Sequence, residues 1–173
     1  MEVKNSMMKV STKIFGDIEL DENEVFEFPN GLIGFPDKRK FVFLTVQGIN
    51  VYDGLPIDFI LCLDDTELCF ATCDPLKITS DYSILASHEE VSDIDLSDPT
   101  DAIVRVVLTL PKKDSKTKTI TANLLAPIII NARNKMGKQL VVDGDEELLN
   151  YEIVKQTEEK TLKDEQSSHA TAK

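Results

Sequence analysis

Thr119-Ile-Thr-Ala-Asn-Leu-Leu-Ala-Pro-Ile-Ile-Ile-Asn131 decides how the chain folds. Its first half alternates, with Ile120, Ala122 and Leu124 on one side and Thr121 and Asn123 on the other. That period of two predicts a half-buried strand. From Leu124-Leu125 onward the alternation gives way to an apolar run broken only by Pro127. A run apolar on both faces predicts a strand covered twice. Pro127 cannot donate to a ladder, so the strand should bend or bulge there and pass from one layer to another.

The segments on either side read as further strands separated by turns. Lys9–Ile14 and Ile18–Leu20 flank Phe15-Gly16-Asp17 and predict a hairpin. In Phe28-Pro-Asn-Gly-Leu-Ile-Gly-Phe35, Pro29 presets φ and Asn30-Gly31 suits positive φ, which predicts a structured turn. Pro36–Lys40 could make one helical turn. Phe41–Val46, Asp58–Leu63, Leu68–Cys73 and Ala102–Leu110 are the best strands, with Tyr82–Leu85, Lys138–Val142 and Tyr151–Val154 weaker ones. Asp74-Pro75 and Asp98-Pro99 end elements, because proline biases the preceding residue toward extended backbone. Ser87 and Glu90 have capping-box spacing and predict a helix start. Lys112–Lys118 reads as a charged hairpin loop. The expected fold is an all-β antiparallel domain, barrel-like or a sandwich, with one or two short helical turns. It should occupy residues 1–154, with 155–173 a polar, disordered tail.

With 173 residues the chain is long enough for one domain with a sizeable core. No apolar run is long enough for a membrane-spanning helix, and the first residues, Met-Glu-Val-Lys-Asn-Ser, lack the apolar stretch of a signal peptide. Three cysteines do not make a disulfide framework. These features predict a cytoplasmic protein. The net charge of −12 is unevenly placed: Asp53 to Asp101 holds thirteen acids against Lys77, while Ala102 to Lys138 holds eight bases against Asp114. An acidic field repels phosphate backbones and attracts basic proteins, although acids also serve plain solubility.

The residues suggest no catalytic centre. Cys62, Cys69 and Cys73 lack the paired knuckles of a zinc ribbon and are better explained by burial. His88 and His169, the two histidines, have no zincin partner. Asp93–Asp98 lacks the glycine and terminal glutamate of a calcium loop. No Gly-rich turn opens a long helix to cradle phosphate, and the basic loop has no interleaved aromatics for nucleic acid. No metal, cofactor, direct nucleic-acid contact or membrane contact is expected, and weight shifts to a binding or regulatory protein, monomeric when alone.

Five stretches, in order, resemble the flagellar assembly factor FliW family: Phe15-Gly-Asp-Ile-Glu19, Phe28–Phe35, Cys73-Asp-Pro75, Ile120–Asn131 and Gly137-Lys-Gln-Leu-Val141. Together they span nearly the whole ordered chain; the tail beyond Val154 is longer and more polar than the family's pattern. The resemblance implies a small β-barrel-like protein without catalytic activity. It implies two partners, flagellin and the RNA-binding translational regulator CsrA, exchanged so that flagellin mRNA is derepressed once flagellin is exported. The acids Asp64, Asp65, Glu67 and Asp74 are the expected contributors to CsrA capture. Two other readings stay open: a chaperone-like module for a different secreted subunit, with no translational role, and an enzyme.

Overall fold

The computed structural model of the chain describes residues 6–45, 51, 52, 54–112, 114, 116 and 119–153. Thirteen strands carry the fold: β1 (Met7–Thr12), β2 (Gly16–Asp21), β3 (Phe26–Glu27), β4 (Lys40–Leu44), β5 (Val51–Tyr52), β6 (Leu55–Pro56), β7 (Asp58–Cys62), β8 (Cys69–Cys73), β9 (Ala102–Thr109), β10 (Thr121–Ala122), β11 (Ile128–Asn131), β12 (Met136–Gln139) and β13 (Tyr151–Glu152). Seven of them form a ring in the order β11-β12-β3-β4-β7-β8-β9, closed by pairing of β11 with β9. The architecture is thus a barrel rather than a sandwich, and closure removes most of the sheet's edges. All its pairings are antiparallel except β12 with β3, where Met136 stands opposite Glu27 in parallel register.

The register shows which side chains face inward. Ile128 lies opposite Arg105 and Ile130 opposite Ile103, while Phe41 faces Cys62 and Phe43 faces Ile60. All of these but Arg105, with Phe28 and Leu32, make the barrel's central core. Phe28 and Phe41 meet edge to face at 4.9 Å, a geometry that favours aromatic pairs. Here β12 must carry glycine, since a Cβ on Gly137 would stand 2.5 Å from the Phe28 ring. Gly31 turns the chain beneath this core with φ +65°, as Asn30-Gly31 predicted.

Outward faces are covered by three separate additions. The β1–β2 hairpin buries Leu20 against Val42 and Leu61. On another side Ile120, Ala122 and Leu124, with Ile153 from the end of the described chain, cover Ala71, Cys73, Val106 and Leu108. Third, a strap of residues 74–101 places Val91, Ile94 and Leu96 on Ile129. Ile128 and Ile130 therefore face the lumen while Ile129 faces the strap, so the organising stretch is covered twice. Leu124 and Ile129 are 1% and 3% exposed. Pro127 separates β10 from β11, and both pair with β9 in successive stretches.

Several weaker expectations fail. Tyr82–Leu85 is not a strand, Ser87 opens a turn rather than a helix, and Pro36–Lys40 forms no helical turn. The helical content is five short 3-10 turns among the described residues, more than the one or two expected. Lys138–Val142 contributes only through β12, which ends at Gln139. The tail from residue 154 lies outside the described residues, as does part of the Lys112–Lys118 loop.

Candidate functional site

The strap does not seal onto the barrel. Between it and the outer wall lies a groove of about 710 Å3, floored by Ala102, Val104 and Ile129. Asp74, Pro75 and Leu76 form one wall, and Tyr82, Ile84, Ala86, Val91 and Leu96 come from the strap. Its volume falls in the range of ligand-binding clefts. Two large apolar side chains stand exposed at its rim, Leu76 at 54% and Leu85, between the lining residues Ile84 and Ala86, at 96%, with Ser83, His88 and Ser97 as polar lining residues. Such a patch continuous with a concave floor marks an interaction surface.

Fixed hydrogen bonds hold the strap in this open arrangement. Asn131, buried at the end of β11, donates through Nδ2 to the carbonyls of Ile94 and Asp95, each at 3.0 Å, and its Oδ1 accepts from the Arg133 N–H. Asn134 adds a second donor to Ile94 at 3.1 Å. Asp95 can present its carbonyl here because it adopts left-handed backbone, φ 52°, a conformation short polar side chains tolerate. At the far side Lys138 pairs with Asp93 at 2.9 Å and Asn30 donates to the same carboxylate. Near the start of the strap, the Tyr82 hydroxyl donates to the Leu124 carbonyl at 2.9 Å.

Burial raises the Tyr82 hydroxyl's pKa from 10.0 to about 12. Its neutral form is therefore favoured in the folded protein, and this contribution is complete below pH 10 and lost as pH rises to about 12. Tyr82→Phe should lower stability at pH 7 by about 1–2 kcal/mol, the cost of one buried hydrogen bond and an orphaned carbonyl. Between pH 10 and 12 the wild type should lose that lead; denaturant midpoints across this range measure it, and a constant gap would contradict the assignment.

At the barrel mouth nearest the groove, Arg105 and Asp58 form a half-buried ion pair, Nε to Oδ2 3.4 Å. Thr45 donates to the other Asp58 oxygen at 3.0 Å, and Arg105 Nη1 donates to the Val104 carbonyl at 2.9 Å. A single broken member would leave the other charge poorly solvated, so the pair is structural first.

The four acids singled out from the sequence fall into two groups. Asp64, Asp65 and Glu67 sit on the β7–β8 turn, and Asp74 follows β8 at its opposite end. Five residues of strand separate them, about 17 Å. Asp64 accepts the N–H groups of Arg39 and Lys40 at 2.6 and 2.9 Å. Burial pushes its carboxyl up, but those two N–H groups outweigh it and hold the group below its ordinary value. Asp65 pairs with Lys38 at 3.3 Å, and Glu67 stands 3.9 Å from Lys13. Asp74 lines the groove and caps the Pro75–Lys77 turn, accepting the Leu76 N–H at 2.9 Å. Asp64, though exposed, is thus a clamp on the 39–40 backbone, whereas Asp65 and Glu67 hold longer ion pairs and keep side chains 42% and 75% exposed.

The cysteines behave as packing residues, Cys62 and Cys73 buried and Cys69 half-buried. Burial raises Cys69 to about 11 and, with the neighbouring Asp74 charge adding to it, Cys73 to about 12. Neither is a thiolate at neutral pH. Among the described residues no cluster of three His, Cys, Asp or Glu side chains could hold a metal ion, and no helix is long and apolar enough to cross a membrane.

A closed barrel with a groove under an acidic strap defines a small β-barrel protein with a cleft on its outer wall. Residues 9–155 match the family model described as FliW protein. The chain is 33% identical over 135 residues to the flagellar assembly factor FliW of Natranaerobius thermophilus, covering 78% of this chain and 85% of that one. It is 32% identical over 149 residues to that of Clostridium botulinum, covering 86% and 99%. A crystal structure of the flagellar assembly factor FliW superposes with a TM-score of 0.70 at 26% identity, covering 84% of this chain and 94% of that chain. The chain belongs to the FliW family.

Proposed function

We propose that this protein is a cytoplasmic, non-catalytic flagellar assembly factor that alternates between two protein partners. Flagellin occupies it while flagellin is abundant; once flagellin is exported, the protein captures CsrA and lifts repression of flagellin mRNA. The observation that carries the proposal is the presence of two surfaces of different chemistry at opposite ends of β8. One is the apolar groove with Leu76 and Leu85 on its rim, suited to a secreted subunit that exposes apolar surface before assembly. The other is the acidic β7–β8 turn, suited to a protein whose basic surface binds RNA. A chaperone for some other secreted subunit would need the groove alone.

The discriminating measurement is association kinetics with CsrA. Reversing Asp65 and Glu67 to Lys, with Asp64 kept because it holds the 39–40 backbone, should slow association severalfold at low salt. The difference should narrow as ionic strength rises, since charges are screened beyond about 8–10 Å at physiological salt. Flagellin binding should change little. Rates equal to wild type at every ionic strength would remove the turn from CsrA capture, and no CsrA binding at all would leave the chaperone.

A further inference from the structure

The groove floor contains an open strand edge. The Ala132 N–H bonds the Asp101 carbonyl and the Asn123 N–H bonds the Val107 carbonyl. Backbone groups alternate sides along a strand, so the odd-numbered residues of this stretch turn theirs toward β10 and β11. Ala102, Val104 and Val106 then turn theirs the opposite way, toward β8. There β8 stops at Cys73, opposite Val106, because Pro75 leaves the ladder in a 3-10 turn. Beyond Val106 that edge faces the groove, and all four residues Ala102–Arg105 line it. The Ala102 N–H is taken by Pro99 and the Val104 carbonyl receives Arg105 Nη1. Among the described residues the Val104 N–H and the Ala102 carbonyl have no partner.

We propose that this groove seats an extended polypeptide segment as an added strand on the Ala102–Val104 edge. The segment would carry apolar side chains at alternate positions and lysine or arginine at its flanks. The proposal deepens the reading of the groove as a partner site. Unpaired edge groups call for a backbone partner, and strand addition supplies one; a helix satisfies its own backbone and would leave the Val104 N–H unmet. Side chains on one face of the added strand would meet Ile84, Val91 and Leu96. The charge of the flanks follows from the strap, which holds eight acids against Lys77. Among the described residues only Asp93 and Asp101 of these acids form ion pairs. The same charge disfavours a second copy of this chain, whose strap would bring like charge to the groove.

The test uses the folded full-length chain and synthetic peptides unrelated to any natural partner. A fluorescent peptide of alternating valine and threonine, with two lysines at each end, should bind and saturate. N-methylation of alternate residues on the edge-facing register should weaken it at least tenfold, and methylation on the other register should weaken it far less. Glutamate ends should abolish binding, and a helical peptide of equal charge should bind more weakly than the extended one. In the protein, Val104→Pro removes the edge N–H in backbone that is already extended and keeps the floor apolar, so it should lower affinity to a similar degree. Equal affinity for both methylated registers, preference for the helical peptide, or no peptide binding would overturn the proposal, whatever becomes of the proline variant. Because no flagellin sequence is used, the outcome is independent of flagellin binding. Peptide that binds as predicted but does not compete with flagellin would sink the groove's assignment to flagellin and leave strand addition standing.

Discussion

Leu124→Asp protein is expected to be unfolded, with no cooperative transition on heating and no ordered far-ultraviolet spectrum. Leu124 is 1% exposed and packs with Cys73, Val106, Ile120 and Ile153 where three parts of the chain meet. Its N–H donates to Leu148 at 2.8 Å, and its carbonyl receives the Tyr82 hydroxyl. Losing a buried leucine costs about 2–5 kcal/mol, and an unpaired carboxylate at the same point adds several more. The whole domain has about 5–15 kcal/mol to lose. A soluble variant with a sharp melt would show that this cluster is peripheral. Leu124→Met, which nearly conserves volume, should cost less than about 1.5 kcal/mol and separates the effect of charge from that of shape.

That corner was legible in the sequence because its signals are local. Ile128, Ile129 and Ile130 in a row require burial on both faces, and Pro127 must interrupt the ladder wherever the strand lies. Gly31 likewise announced its own backbone. The ring closure by β9 and β11, and the parallel contact of β3 with β12, are pairings between distant segments whose register no short window contains. The strands and the all-β class therefore followed from the residues, while the distinction between barrel and sandwich did not.

The strap was misread for a different reason. Ser87 and Glu90 do form their reciprocal bonds, with Glu90 Oε2 2.8 Å from the Ser87 N–H and the Ser87 Oγ 3.3 Å from the Glu90 N–H. A cap without an apolar face of helical period after it stabilises only a turn. Instead Val91, Ile94 and Leu96 are placed by their contact with Ile129, a residue from the other end of the domain. The groove brings together Pro75, Leu96, Val104 and Ile129, none near another in sequence except through the barrel, so it left no motif. Of the four acids singled out, only Asp74 borders it. The remaining three looked alike in sequence, and only the 39–40 backbone, distant along the chain, distinguishes Asp64 as a clamp.

Asn131→Ala is expected to release the strap while leaving the barrel closed. The side chain is 4% exposed and makes three hydrogen bonds, two of them to strap carbonyls. Its backbone stays in register with Met136 and Ala102, so the ladder survives the substitution. Removing it orphans the Asp95 carbonyl and the Arg133 N–H among the described residues, while Ile94 keeps Asn134. Losing three hydrogen bonds, each worth about 0.5–1.5 kcal/mol net, costs about 2–4 kcal/mol, although Asp95 and Arg133 are themselves exposed residues. The loss should be concentrated in residues 91–101, next to the two carbonyls that Asn131 holds, with the Asp93 and Asp101 ion pairs still anchoring the strap at either side. Hydrogen exchange should therefore accelerate there by one to three powers of ten and remain near wild type in β4, β7 and β11. Asn134→Ala, at an exposed position with Asn131 still bonded to Ile94, should have a much smaller effect. Asn131→Asp should be at least as damaging as Ala, because it sets a carboxylate against two carbonyl oxygens. Unchanged exchange across the strap in Asn131→Ala would mean that the apolar contact with Ile129 and the Asp93, Asp101 and Asn134 bonds hold it without Asn131. Uniform acceleration through the barrel would mean that strap and barrel unfold as one unit.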